Sequence, residues 1–363
     1  MAPGVVVTVA LVLTTLGLVM LFSAGAARGA HALLTKQTIW LGLSIVAGLS
    51  AACISQDWLQ RRSVVFYLLC LLALGLIFVP GLGVKVNGAQ RWLGLGPLRV
   101  QPSEFAKIGM VLLLASYLSA RQREIRTFWH GFMMPSVIVG LVLFLIMLQP
   151  DFGTTFLCGA VGATMMFLAG VSLRWLLPVA GLAVSLFSLL VYLDPVRLRR
   201  VTSFLDVEAN ANDSAYQLWQ GMLAFGVGGL EGVGLGQGRQ QMHFLPEAHT
   251  DFIFSVIGEE LGLAFSLGIV LCFMTLFVVV SWRLRETRSL YPFLLAMGAL
   301  TTITLQAIIN VGVVTGSMPT KGMSLPFISY GGSNLMVTFI LVGLILNVLR
   351  TWGRPVLSHS REL

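Results

Sequence analysis

Charge is what this chain has least of. Asp, Glu, Lys and Arg make up only 10% of its 363 residues, against 56% hydrophobic residues. So little charge cannot clothe the surface of a soluble domain, which excludes that class. Cysteine is scarce too: Cys53, Cys70, Cys158 and Cys272 all lie inside apolar runs. They have no metal-ligand spacing, which excludes a disulfide framework and a thiolate metal centre. Nucleotide-binding loops are missing as well. The glycines between Gly226 and Gly238 match neither G-x-G-x-x-G nor a P-loop, and no βαβ pattern surrounds them. The net charge of +8 does not mark a nucleic-acid partner. Its basic residues sit in short clusters between apolar runs, where they set topology and meet anionic lipid.

Long apolar runs are present in quantity. They predict an all-α polytopic membrane protein with ten spans, at about 5–25, 38–54, 63–80, 103–119, 131–149, 154–170, 172–193, 252–281, 291–315 and 333–350. Residues 1–363 read as a single transmembrane domain. A long extracytoplasmic loop covers about 194–251, and a short cytoplasmic tail covers about 351–363. Ser23-Ala24-Gly25-Ala26 resembles a signal-peptide cleavage site. The first run lacks a basic n-region and is longer than a signal core, so it counts as a span.

Arginines set the orientation. Arg61, Arg62, Arg121, Arg123, Arg126, Arg174, Arg283, Arg285, Arg288, Arg350, Arg354 and Arg361 all fall on one side of a ten-span frame. That side is predicted to be cytoplasmic, with both termini inside. The opposite face carries three different connections. Residues 81–102 are Gly-rich and hold Lys85, Asn87, Arg91, Trp92 and Arg99. Residues 316–332 hold Lys321 and the run Ser329-Tyr330-Gly331-Gly332. The loop 194–251 is long enough to need a job, and Tyr216, Leu218, Trp219, Met222, Leu223 and Phe225 predict an ordered, half-inserted helix within it. Function is expected on this outer face.

Three ionisable residues, Glu247, His249 and Asp251, crowd the seven positions from Leu245 to Asp251. Asp251 is the last charge before Phe252 enters a span. Lys85, Arg91, Arg99, Lys107, Arg239 and Lys321 come from separate parts of the chain and suit a diphosphate or other polyanion. Snorkelling to lipid headgroups is the plainer reading of each. In Gln101-Pro-Ser-Glu-Phe-Ala-Lys107, Pro102 and Ser103 mark a helix start and Glu104 sits in its first turn. Glu104 and Lys107 share a helix face, either as a structural ion pair or with Lys107 turned to a ligand. Glu259 and Glu260 lie about 12 Å along the helix from Asp251, where acids need a partner such as Lys107 or a polar cavity. His243, Glu247, His249 and Asp251 lack the further ligands of a closed transition-metal site. No tightly bound cofactor is expected, and a loosely held Mg²⁺ or Mn²⁺ shared with a substrate diphosphate fits better.

The strings Gln101-Pro-Ser-Glu-Phe-Ala-Lys107, Gln149-Pro-Asp-Phe-Gly-Thr154, Pro246-Glu-Ala-His-Thr-Asp-Phe-Ile-Phe254, Gly258-Glu-Glu-Leu-Gly262 and Leu325-Pro-Phe-Ile-Ser-Tyr-Gly-Gly332 resemble the SEDS family, which includes RodA, FtsW and SpoVE. The likeness covers essentially the whole chain. Pro246-Glu-Ala-His249 and Val256-Ile-Gly-Glu-Glu260 look closer to the FtsW branch, which points to the division septum. The resemblance implies a peptidoglycan glycosyltransferase of the bacterial cytoplasmic membrane that polymerises lipid II on its outer face. Its implied partners are the nascent glycan strand, a class B penicillin-binding protein that crosslinks the product, and other divisome or elongasome membrane proteins. The family's essential carboxylate falls on Asp251. Substrate-binding candidates are Lys85, Arg91, Trp92, Glu104, Lys107, Arg239, Glu247, His249, Lys321, Ser329 and Tyr330. Two other readings are a lipid II transporter, for which Glu259, Glu260 and Asp151 are the residues to watch, and a non-enzymatic division scaffold.

Overall fold

A chain in hydrocarbon must satisfy its own backbone, so long apolar runs become helices. The computed structural model describes residues 2–25, 30–86, 89–95, 98–213, 215–240, 245, 248–319 and 322–351. In chain order the first helices are α1 (Ala2–Gly25), α2 (Ala30–Cys53), α3 (Gln56–Leu76), α4 (Pro102–Ala120), α5 (Met134–Met147, led in by a π-turn over Phe128–Met133), α6 (Phe152–Leu168) and α7 (Leu173–Leu193). They are followed by α8 (Pro195–Leu205), α9 (Tyr216–Gly228), α10 (Ile253–Leu284), α11 (Leu290–Val314) and α12 (Gly332–Thr351). A helix stands at every predicted span. Eight of these are long and apolar enough to cross a membrane, α6 is a shorter apolar helix, and α7 carries Pro178 inside its 21 residues. Leucines along α7, among them Leu177, Leu182 and Leu193, are exposed as lipid-facing side chains are.

The long connection contains α9 where the apolar residues from Tyr216 to Phe225 predict a helix, and α8 ahead of it, which the apolar pattern does not predict. Arg199 of α8 pairs with Asp213. The connection before α4 departs from an all-α reading. Strands β1 (Gly83–Val86), β2 (Ala89–Leu95) and β3 (Leu98–Val100) form an antiparallel sheet in the order β1-β2-β3, with Val84 opposite Trp92 and Gly94 opposite Arg99. Strands this short, broken by glycines, show too little alternation to be distinguished from a Gly-rich loop. Two side chains moor the sheet. Gln90 Nε2 donates to the Ile77 carbonyl at 2.9 Å, and Arg91 donates to the carbonyls of Gln149 (3.1 Å) and Pro150 (2.6 Å) in the α5–α6 turn.

Two features set the frame for the site. The first is close packing of α2 on α12 through small residues: a Cβ on Gly48 would lie 2.7 Å from the Phe339 carbonyl oxygen, and Gly343 abuts the Gly48 carbonyl. The second is a break in α10 at Gly262, with φ 76° and ψ −175°. The Gly229–Gly234 segment after α9 fills the break. Val233 N and Gly234 N donate to the carbonyls of Glu259 and Glu260, both at 2.9 Å, while Leu263 N donates back to the Gly229 carbonyl at 3.0 Å.

Candidate functional site

Asp251 stands in a turn just ahead of α10 and is half-buried. Its backbone is gripped from below by α11. Asn310 Nδ2 donates to the Asp251 carbonyl at 2.9 Å and to the Met323 carbonyl at 2.6 Å. From the side, the loop before α12 is laced to the same turn. Tyr330 N donates to the His249 carbonyl at 2.9 Å. Ser329 Oγ donates to the Thr250 carbonyl at 2.6 Å and accepts from Leu325 N at 2.7 Å. Gln37 of α2 brackets this loop, donating to the Ser329 carbonyl at 3.4 Å and accepting from Gly331 N at 3.3 Å. The backbone of Gly322 lies against the acid itself: a Cβ there would sit 2.5 Å from Asp251 Oδ2.

Phe327 in this loop has φ 67°, a conformation that costs a non-glycine residue on the order of 1–3 kcal/mol. Its buried ring, 6.4 Å from Phe273 and 6.1 Å from Phe339 between centroids, holds it there. The His249 and Tyr330 rings lie 5.7 Å apart, tilted by 55°. Burial pushes the Tyr330 phenol above its usual value.

A polar ladder runs from this turn into the bundle. Gln306, one helical turn from Asn310, donates to the Ser324 carbonyl and to Asn334 Oδ1, both at 2.9 Å, and accepts from Lys107 Nζ at 2.8 Å. Lys107 Nζ is in turn 2.7 Å from Glu104 Oε2, with both side chains buried. The two form the ion pair that their spacing allows, and the added hydrogen bond offsets part of the desolvation that a buried ion pair suffers.

Glu259 and Glu260 are buried. The sequence predicts a cation such as Lys107 or a polar cavity for them; Lys107 is engaged by Glu104 and Gln306, and backbone amides of the loop after α9 bind both acids. Glu259 Oε1 accepts from Arg239 N at 2.7 Å and Gln240 N at 3.2 Å. Glu260 Oε1 accepts from Gly236 N at 3.1 Å, and its Oε2 accepts from Ser23 Oγ of α1 at 2.6 Å. The glycines bring the loop close enough for its amides to reach both carboxylates. Composition alone points to side-chain partners, so this arrangement was hidden. Asp151 caps α6, accepting from Thr154 N at 3.3 Å and Thr154 Oγ1 at 2.9 Å.

The fold thus brings Asp251, His249, Ser329 and Tyr330 together and links Glu104 and Lys107 to them through Gln306. Ser329 is buried with its hydroxyl engaged inside the loop. Lys85 and Arg239 are exposed, and Trp92 is half-buried on β2. Arg91 is occupied by the α5–α6 turn. Glu247, Lys321 and His243 lie outside the described residues, as does the tail beyond Thr351. Among the described residues no group of three or more His, Cys, Asp or Glu side chains gathers as a metal site. Sequence reasoning missed Asn310, Gln306 and Gln37. Amides inside apolar runs were the available signal, since a span buries such groups only with partners.

Comparison with known proteins places the whole chain beside one family. A model of the cell cycle protein family of FtsW, RodA and SpoVE matches residues 4–352. A probable peptidoglycan glycosyltransferase FtsW of Geobacter metallireducens is 39% identical over 361 residues, covering 97% of this chain and 96% of that protein. Its counterpart from Allochromatium vinosum is 42% identical over 320 residues, covering 86% and 79%. A chain of a peptidoglycan synthase complex that coordinates polymerization and crosslinking superposes with TM-score 0.78 at 29% identity, covering 96% of this chain and 98% of its own. The rod shape determining protein RodA of Thermus thermophilus superposes with TM-score 0.73 at 29% identity, covering 96% and 97%. The chain is a membrane protein of the FtsW/RodA/SpoVE cell cycle family.

Proposed function

We propose that this protein polymerises lipid II into β-1,4-linked glycan on the outer face of the cytoplasmic membrane, beside a crosslinking class B penicillin-binding protein, at the division septum. The observation that carries the reading is the setting of Asp251: a half-buried carboxylate whose backbone is clamped by α11 and by the loop before α12. The names of its FtsW relatives, and its likeness to the synthase complex, support the reaction class and the partner.

The chemistry needs little more. Asp251 takes the proton from the acceptor 4-hydroxyl as that oxygen attacks the anomeric carbon of the lipid-linked donor. The C–O bond to the diphosphate breaks on the opposite face, so the α-linked donor becomes a β-linked product. The electron pair leaves on the diphosphate, a good leaving group once cations hold its charge. Exposed Lys85 and Arg239 offer that charge, with Arg91 and Lys321 as further donors. A divalent cation such as Mg²⁺ or Mn²⁺ travels with the diphosphate in this reading, held by the diphosphate oxygens more than by the protein. His249 and Tyr330 flank the base.

Transport gains no support from the acids it would need. The oxygens of Glu259 and Glu260 are taken up by loop amides and Ser23, and Asp151 is a helix cap. The deciding experiment supplies lipid II to the purified protein with its cognate penicillin-binding protein. Glycan polymer forms with wild-type protein, and Asp251→Asn abolishes it while the partner still binds. Polymer from Asp251→Asn at the wild-type rate removes Asp251 as the base. Absence of polymer from the wild-type complex, together with faster lipid II crossing in proteoliposomes, turns the reading to transport.

A further inference from the structure

We infer that Asn310 and Gly322 are positioning residues for the Asp251 carboxylate, Asn310 holding its backbone from behind and Gly322 leaving it space in front. The inference rests on Asp251 acting as the base. Asn310 is 2% exposed, and its Nδ2 is shared between the Asp251 and Met323 carbonyls at 2.9 and 2.6 Å. One amide group therefore fixes the separation of two chain segments, the turn that carries the acid and the loop that faces it. Its Oδ1 has no hydrogen-bond partner among the described residues, so the donor end alone does the holding. Across the gap, the Gly322 backbone lies so near Oδ2 that a methyl group would fall at 2.5 Å from it. Met323 is the next residue after Gly322. Asn310 thereby sets the position of the surface that limits where the carboxylate points.

The same molecule supplies a control. Asn347 is also 2% exposed and makes the same kind of clamp at the other end of the bundle, with Nδ2 donating to the carbonyls of Ala51, Ala52 and Ile54 at 3.0, 3.2 and 2.6 Å. Loss of either amide should loosen the fold. Only loss of Asn310 should slow the reaction per folded molecule.

The test measures kcat and KM for lipid II in the complex with the penicillin-binding protein, normalised to folded protein, alongside melting temperature. Asn310→Ala, and Asn310→Asp, which keeps the shape and removes the donor, are expected to lower kcat about 10- to 100-fold with KM within about twofold. Asn347→Ala is expected to lower the melting temperature comparably and leave kcat unchanged. Gly322→Ala, at an exposed position, is expected to lower kcat without a change in melting temperature, and it carries the test if the Asn310 variants do not fold. A wild-type kcat in Gly322→Ala, or Asn310 variants that lose no more kcat than Asn347→Ala, overturns the inference. Asp251→Asn run in parallel separates the two claims. If it is inactive while the positioning variants are fully active, only this inference falls; if it is active, the base itself is wrong.

Discussion

At the scale of single residues, two kinds of polar group do different work on the sheet side of the bundle. Arg91 illustrates the ambiguity of a half-buried cation. Its guanidinium grips two successive carbonyls at the α5–α6 turn, a fork that a lysine ammonium cannot reproduce. If that grip is its main task, Arg91→Lys should behave like Arg91→Ala. Both would then speed hydrogen–deuterium exchange in residues 89–95, reflecting a loss of roughly 1.5–3 kcal/mol or less at a part-exposed site. Slow, wild-type exchange in Arg91→Lys, with turnover preserved, would assign its role to charge alone. Asp251, Glu104 and Lys107 were legible in the sequence because a charge is rare in an apolar chain and demands a reason. Asn310 and Gln306 were not, because a neutral amide disturbs hydropathy little, and nothing in the sequence says which carbonyl it will find. Ser329 shows the reverse: read as a candidate for substrate, its hydroxyl is engaged by Thr250 and Leu325.

Among the elements, α10 is the one whose sequence is least informative about its shape. Residues 252–281 read as one continuous span, and by hydropathy they are. Yet the helix is broken at Gly262, and the loop after α9 supplies the backbone partners that the break releases. Only glycine populates this conformation freely, and a Cβ at Gly262 would lie 2.5 Å from Gly232 N. Gly262→Ala should therefore destabilise the protein by at least about 1–3 kcal/mol and open the 229–240 segment to protease. Gly268 in the same helix has open space where its Cβ would be. Gly268→Ala should be neutral or slightly stabilising, since alanine is the better helix former. Equal melting temperatures for the two variants would mean that the break is not held by its loop. The short first segment of α10, from Ile253 to Leu261, begins just after Asp251. Loosening the loop therefore reaches the site through a rigid piece of helix. The ten apolar helices were legible from run length, α3 only with its bounds displaced. The basic, amphipathic α8 was not. Nor were the sheet and the break, because both of these are built by glycines that leave no periodic trace.

For the molecule as a whole, the arginine asymmetry predicts which side faces out. In a cysteine-free background, Lys85→Cys and Arg239→Cys should react with a membrane-impermeant maleimide on intact cells. Arg123→Cys and Arg288→Cys, all four positions being exposed, should react only after permeabilisation. The opposite pattern would place Asp251 on the cytoplasmic side and end the case for extracellular glycan synthesis. The bundle is also closed by its two ends. Ser23 meets Glu260, Gln37 meets the loop before α12, and Asn347 reaches the carbonyl of Ile54 across 293 residues of sequence. During synthesis at about 5–20 residues per second, α2 therefore waits roughly 15–60 s in the bilayer before the ribosome delivers its neighbour. Through that interval Gly48 faces lipid where Gly343 will later sit, and Gln37 has no loop to bracket. The Asp251 turn cannot take its final form until nearly the last helix has emerged, so a ribosome stalled before Gly332 leaves a chain with most of its spans inserted and no assembled site.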